Sequence, residues 1–196
     1  MGTVLSRFDR STRIPRRDRL TTRRRLKQQD VLSARLAELH AIKALLERAS
    51  EVVEGGWVQG AWFAVDTPRG RKPVTAYDLG LAEQQPVTGA CLVGAVVQAA
   101  GGPATVRSQL VQRTLDLAWH ALREGPDRPV RWCPGPRMRM MQVLELTYWN
   151  DAPERTQGDV ARLLVAAQRC TDVQRDLCRD EQRALAGAGG TADRER

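Results

Sequence analysis

The sequence comprises 196 residues, of which 42% are hydrophobic, and this is the size and composition of one globular domain with polar ends. The formal net charge is +8, but residues 1–30 alone carry ten basic and three acidic side chains, a net of +7. These values exclude a wholly disordered chain, and they predict a polyanionic partner for one end of the chain only.

No segment has the composition of a membrane span or an export signal. No apolar run approaches the roughly 18 residues that a spanning helix needs, and no apolar stretch follows the arginine clusters near the N-terminus. The four cysteines show no C-x-x-C spacing, which is typical of reduced thiols. We therefore expect a cytoplasmic protein without a membrane partner.

The N-terminal segment, residues 1–30, is rich in arginine and nearly free of apolar periodicity, which predicts a disordered basic arm. A helical core over residues 31–186 and a flexible tail over residues 187–196 are predicted to follow it. Because closely spaced cations neutralise phosphates, we expect the arm to bind nucleic acid without sequence preference. The alternatives are a solvated tail or an over-long gene start. The residues assigned to this contact are Arg16, Arg17, Arg19, Arg23, Arg24, Arg25 and Lys27.

The predicted core opens with a helix and a short strand. Apolar residues recur every three or four positions from Leu32 to Val53, which predicts one buried helical face, and the glycines at 55–56 end the helix. Aromatic and β-branched residues at 57–65 predict a strand, with 72–77 as its partner. The predicted fold class is mainly α: a single domain of about five helices with one short β-hairpin or extended segment packed on them.

Two helices are predicted after the hairpin. Residues 88–100 are small and apolar, which predicts a buried second helix with Thr88 as its N-cap. Apolar side chains align on one face over residues 105–124, which predicts a third helix, and the prolines that follow predict an extended loop.

The last two predicted helices are joined by a tight reversal. The fourth helix is predicted to carry an apolar face of Met138, Met141, Leu144 and Tyr148. It should end near the sequence WNDAP at 149–153, because proline blocks continuation. Thr156 and Asp159 have the spacing of a capping box, which predicts the start of a fifth helix that runs to about residue 185.

Three short blocks in this order resemble a known family. They are GGWVQG at 55–60, CLVGA at 91–95 and WNDAPERT at 149–156. Together they are similar to the bacterial and phage family called domain of unknown function 6197, over about residues 40–170. The resemblance implies a small α-rich domain found mainly in actinobacteria and their phages. It implies no activity and supplies no catalytic residues.

The three blocks also contain the candidate pocket residues, which are Trp57, Gln59, Cys91, Trp149, Asn150 and Asp151. Large indole rings favour burial, and their N–H groups need acceptors, which the two amide side chains can supply. Small residues around position 91 leave room for the rings. We therefore expect these side chains to converge, either as a ligand pocket or as a structural core.

The cysteines and histidines are the residues to consider for catalysis and for metal binding. Cys91 near a helix N-terminus is a candidate nucleophile with a lowered pKa, with His40 or His120 as base and Asn150 or Asp151 as orienting group. The alternative is an inert buried thiol. No local pair of cysteines and histidines has zinc-ligand spacing, so no metal and no cofactor are predicted.

These observations favour a non-enzymatic bacterial or phage accessory protein. Its helical domain would bind a protein partner of unknown identity while the basic arm contacts nucleic acid. The first alternative is a pure protein-interaction or regulatory module with no nucleic-acid role. The second is a small enzyme that uses Cys91 as nucleophile.

Overall fold

The computed structural model describes the backbone of residues 16–133 and 135–190 and the side chains of residues 20–133 and 135–187. Within these residues there are six α-helices and one small antiparallel sheet, which confirms the mainly α prediction. The elements in chain order are α1 (Arg16–Gly55), β1 (Phe63–Thr67), β2 (Gly70–Val74), α2 (Leu79–Gln84), β3 (Val87–Ala90), α3 (Leu92–Ala99), a 3-10 turn (Pro103–Thr105), α4 (Gln109–Arg123), α5 (Pro136–Asn150) and α6 (Gln157–Gly190).

The two long helices, α1 and α6, form an antiparallel pair that carries the rest of the fold. Near one end of the pair Gln157 Nε2 donates to the carbonyl of Val53 at 2.7 Å, and further along Lys43 pairs with Asp172 at 2.8 Å. The predicted stripe of α1 between Leu32 and Val53 is buried against α6 and α3, as its periodicity indicated. No helix among the described residues has the length and apolarity needed to span a membrane.

The N-terminal part of α1 and the C-terminal part of α6 differ from the predicted arm and tail. Residues 16–30 are helical where a disordered arm was predicted, and residues 187–190 are helical where a flexible tail was predicted. We call residues 16–30 and 178–190 the stalk. Residues 1–15 and 191–196, the remainder of the predicted arm and tail, lie outside the described residues.

Polar contacts between the two helices account for the difference. Arg25 donates to the carbonyl of Ala186 at 3.0 Å, and Gln28 Nε2 donates to Glu181 Oε1 at 3.3 Å. Arginine, lysine, leucine and glutamine are also good helix formers, and adding a turn to an existing helix costs less than nucleating one. Residues 16–30 therefore have weak apolar periodicity because their interface with α6 is polar, and not because they are disordered.

The sheet has strand order β2-β1-β3, with both pairings antiparallel. The predicted hairpin is present as β1 and β2, but β3 was assigned to the second helix at the sequence level. Its last residue, Ala90, also forms a bridge to Trp57. Thr88 is therefore a strand residue, and the predicted N-cap role belongs to Cys91, where α3 begins.

Helix α3 lies at the centre of the fold, and its first six residues are buried. It passes close beneath the start of β1: a Cβ placed on Gly94 would lie 2.0 Å from the carbonyl oxygen of Trp62. The following helix, α4, begins at Gln109, four residues later than predicted. Ser108 caps it, with Oγ accepting a hydrogen bond from the N–H of Val111 at 3.3 Å.

Helix α5 presents its predicted apolar face to solvent. Met141, Leu144 and Tyr148 are 48%, 41% and 72% exposed, while the opposite side of the helix buries Gln142 and Leu146. An apolar helical stripe usually marks the buried side of a helix, so this face is an exception that needs an explanation.

The predicted capping box at the start of α6 is present. Thr156 N–H donates to Asp159 Oδ2 at 2.9 Å, and Asp159 N–H donates to Thr156 Oγ1 at 3.2 Å. Hydrogen bonds from Thr156 lower the pKa of Asp159 to about 2. The carboxylate is thus ionised over the physiological range, which suits a helix N-terminus.

Candidate functional site

Asn150 is the only asparagine in the sequence, and it is fully buried at the last position of α5. Its Oδ1 accepts hydrogen bonds from the indole Nε1 of Trp57 at 3.0 Å and from the backbone N–H of Leu92 at 3.1 Å. Its Nδ2 donates to the carbonyl of Val58 at 3.1 Å and to Asp151 Oδ1 at 2.8 Å. One amide thus joins the loop after α1, the start of α3 and the end of α5.

Further hydrogen bonds fasten the same loop to the end of α5. Gln59 Nε2 donates to the carbonyls of Asn150 and Ala152 at 3.1 and 2.8 Å. The N–H of Gly60 donates to Asp151 Oδ1 at 3.0 Å. The last carbonyls of a helix have no partner within it, so Gln59 acts as a capping side chain from another segment.

Trp149 and Cys91, the other predicted members of the cluster, have different partners. The guanidinium carbon of Arg155 lies 4.2 Å from the centroid of the Trp149 ring, and Arg155 Nε donates to the Trp149 carbonyl at 3.1 Å. The sulfur of Cys91 accepts a hydrogen bond from the N–H of Gly94 at 3.3 Å. Cys91 is joined to Asn150 only through its neighbour Leu92, whose N–H bonds the amide.

The geometry of this network is that of a structural joint. An asparagine amide can donate two hydrogen bonds and accept two, and all four are made to protein groups here. The amide therefore has no unused hydrogen-bonding capacity for a ligand. A separate groove of about 620 Å³ lies between α1, α4 and the loop before α5, where the Arg113 guanidinium carbon lies 4.4 Å from the centroid of the Trp132 ring.

Cys91 does not have the environment of a nucleophile. It is fully buried, and desolvation raises the pKa of its thiol to about 12, although the hydrogen bond from Gly94 acts in the opposite direction. The two histidines have other neighbours: His40 Nε2 lies 3.2 Å from the guanidinium of Arg175, and His120 Nε2 lies 3.2 Å from the carbonyl of Arg128. The predicted helix-terminal lowering of the thiol pKa is wrong, because burial outweighs it.

We expect the native protein to react slowly with thiol reagents except at one position. Cys133 is partly exposed, whereas Cys91, Cys170 and Cys178 are buried. Near neutral pH a thiol whose pKa is about 12 is almost entirely protonated, and the protonated form is a poor nucleophile. Alkylation followed by peptide mass spectrometry should label Cys133 first and the other three only in denaturant. Rapid labelling of Cys91 in the folded protein would contradict this assignment.

Among the described residues, no group of three or more histidine, cysteine, aspartate or glutamate side chains is arranged to hold a metal ion. The sulfur of Cys133 donates to the carbonyl of Gly135 at 3.3 Å. The histidines and cysteines that could have supplied zinc ligands thus have separate protein partners: His40, Cys91, His120 and Cys133.

The predicted nucleic-acid-binding residues lie along the stalk end of α1. Arg23, Arg24 and Lys27 are exposed, whereas Arg25 is half-buried and bonds the carbonyl of Ala186. Arg25 therefore contacts α6 within the stalk, whereas its neighbours Arg23, Arg24 and Lys27 are exposed to solvent. The remaining three belong to the first turns of α1, and their side chains lie outside the described residues: Arg16, Arg17 and Arg19.

Sequence reasoning missed a buried ion pair between α4 and α5. The side chain of Asp116 is 2% exposed, and it accepts hydrogen bonds from Arg139 Nε at 2.9 Å and from Arg139 Nη2 at 3.1 Å. The hydrogen bond to Asp116 raises the pKa of Arg139. The sequence contained one indication of this pair, because Asp116 is a single carboxylate among the apolar residues of α4.

The chain matches one family model. Residues 37–169 match the model described as a family of unknown function (DUF6197), a segment that includes the whole Asn150 network and excludes the stalk. No curated protein and no solved structure shows significant similarity to the chain.

Proposed function

The chain belongs to the family of unknown function DUF6197, and we propose that it is a non-enzymatic bacterial or phage accessory protein that contacts nucleic acid through the stalk end of α1. The contact surface is the exposed basic face formed by Arg23, Arg24 and Lys27. The proposal places the protein in the cytoplasm, where nucleic acid is accessible and its four free cysteines stay reduced.

The observation that supports this proposal is the difference in charge between the two helices of the stalk. In the α6 part of the stalk the arginines are paired with the aspartate three residues before them: Arg179 with Asp176 at 3.1 Å, and Arg183 with Asp180. Arg23 and Lys27 lie on the side of α1 turned away from Arg25 and Gln28, which bond α6, and the exposed residue Arg24 lies between these two sides. The cationic field of the stalk therefore comes from α1 alone.

A helical basic face is better suited to phosphate binding than a disordered arm. Positions 23 and 27 are four residues apart, so they lie on the same side of the helix, separated by about 6 Å along its axis. Because the helix is already ordered by α6, binding does not require the entropy loss of folding an arm. The interaction should still be non-specific and strongly dependent on salt, since it rests on the release of counterions from phosphates.

The test is a variant in which Arg23, Arg24 and Lys27 are changed to glutamine, examined by gel shift and fluorescence anisotropy with duplex DNA over a salt series. Each phosphate contact contributes about 0.9 to the slope of log affinity against log salt, so we expect the slope to fall by about 2 to 3. Binding by the parent protein is required for the comparison, and its absence at low salt would refute the proposal.

A matched control removes the same charge from another part of the molecule. Arg69, Arg71 and Lys72 are exposed on the β1–β2 hairpin, and changing them to glutamine lowers the net charge equally. We expect this variant to keep the slope of the parent protein. An equal loss in both variants would show that total charge is responsible and would refute a site on α1.

A second candidate function, a protein-interaction module, is favoured by the exposed apolar face of α5. Along this helix Met138, Met140, Met141, Leu144 and Tyr148 are between 41% and 72% exposed. Methionine-rich exposed helix faces commonly contact other proteins, because the flexible side chains adapt to a partner surface. This surface is separate from the basic face, so the two functions can be tested independently.

A further inference from the structure

We propose that the exposed face of α5 is the interface of a symmetric homodimer, in which two α5 helices pack antiparallel. The inference rests on the second candidate function and names the partner as another copy of this chain. It does not depend on nucleic-acid binding.

The apolar residues form one continuous face of α5. At 100° per residue, Met140, Met141, Leu144 and Tyr148 fall within about 100° of one another, on the side opposite buried Leu146 and Asn150. The exposed residue Arg137 lies on the same face at its N-terminal end. The face is therefore a strip about three turns long with a cation at one end and a tyrosine at the other.

An antiparallel arrangement makes this strip complementary to itself. If a two-fold axis passes between Met141 and Leu144, each of these residues faces the other in the second copy. The same axis brings Arg137 of one copy to Tyr148 of the other, because both lie four residues outside the central pair. A guanidinium over a tyrosine ring is attractive, and the pairing is formed twice in a two-fold dimer.

The charges at the two ends of α5 also favour antiparallel packing of the two helices. Arg131 and Arg137, both exposed, lie at or just before its N-terminal end. Asp151, Glu154 and Arg155 follow its C-terminal end, where one carboxylate is in excess although Glu154 pairs with Arg155 at 3.8 Å. Antiparallel packing places the basic end of one helix beside the acidic end of the other, whereas parallel packing would place like charges together. The helix dipoles are also opposed in this arrangement.

The area of the strip indicates how tightly the two copies are expected to bind. The four apolar side chains of the strip, which are 41% to 72% exposed, present on the order of 450 Å² per copy, compared with about 800 Å² per partner in a standard stable interface. A patch of this size is at the upper end of what monomers expose. We therefore expect a reversible dimer with a micromolar dissociation constant.

The experiment is sedimentation velocity on the full chain across the micromolar range, for the parent protein and for Leu144→Glu. A charge at the centre of the strip would be buried twice in the dimer, so the dissociation constant should rise at least ~30-fold. Arg137→Glu should also weaken the dimer, because it removes both contacts to Tyr148. Since these side chains are exposed in the monomer, circular dichroism melting of each variant should match the parent monomer.

The matched control is Leu177→Glu, which places the same charge at another exposed leucine, 49% exposed on α6. This variant should dimerise like the parent protein. A parent protein that stays monomeric throughout the range would overturn the proposal, as would a dimer that Leu144→Glu leaves unchanged. Loss of dimer in both Leu144→Glu and Leu177→Glu would place the interface elsewhere and would equally overturn it. None of these results bears on DNA binding, which the gel shift reports separately.

Discussion

Gly94→Ala is expected to lower the free energy of unfolding by about 3 kcal/mol or more, at the upper end of what overpacking in a core costs. The added Cβ would lie 2.0 Å from the carbonyl oxygen of Trp62 and 2.9 Å from its carbonyl carbon. The backbone at Trp62 is held in place by two hydrogen bonds. The carbonyl of Trp62 accepts from the N–H of Cys91 at 3.0 Å, and the N–H of Trp62 donates to the carbonyl of Val74 at 2.9 Å. Either α3 or β1 must shift.

The measurement is urea unfolding followed by circular dichroism, with Gly80→Ala as the control. Gly80 lies within α2 and has no atom within 4 Å of an added Cβ. Alanine favours helix over glycine, so Gly80→Ala should change stability by less than about 1 kcal/mol, in the stabilising direction. A Gly94→Ala protein as stable as the parent would show that α3 does not pack so closely beneath β1.

Asn150→Ala is expected to lower the free energy of unfolding by about 3 to 5 kcal/mol, because it strands several buried polar groups at 1 to 3 kcal/mol each. The indole N–H of Trp57 and the N–H of Leu92 lose their acceptor, and the carbonyl of Val58 loses its donor.

Two milder variants separate the contributions to this network. Trp57→Phe keeps most of the ring and removes one hydrogen bond, so it should cost about 1 kcal/mol. Gln59→Ala removes two hydrogen bonds from an exposed residue, and water can then solvate the carbonyls, so its cost should be about 1 kcal/mol or less. If Asn150→Ala cost under about 1 kcal/mol in urea unfolding, the amide would not be a structural joint, and the ligand-pocket hypothesis would regain support.

The parts of the fold that the sequence predicts are those in which one local signal is sufficient. The stripe from Leu32 to Val53 is buried because its period matches a helix packed on one side. The capping box at Thr156 and Asp159 depends only on residues three positions apart. The association of Trp57 with Asn150 follows from an indole donor that must find an acceptor when it is partly buried.

Two predictions failed for different reasons: β3 is decided by its pairing with a distant strand, and the buried side of α5 is partly polar. Strand β3 has only four residues, and its small side chains suit a helix or a strand equally; pairing with β1 decides between them. On α5 the periodicity correctly predicted an apolar face, but the buried side is made of Gln142, Leu146 and the Arg139–Asp116 pair. Periodicity alone does not distinguish the two sides when the core side is partly polar.

The stalk makes the lengths of the two ends of the chain depend on each other. Its helices are partners in an antiparallel pair, and both lie outside the segment that matches the family model. A turn added to one helix alone would have no partner, and short unpaired helices are marginal in water. Insertions in the two extensions should therefore match in length. A heptad added to both helices below the basic face would carry Arg23, Arg24 and Lys27 about 10 Å further from the family domain, without a change in that domain. A change in the length of the stalk therefore requires no change in the packing of the family domain.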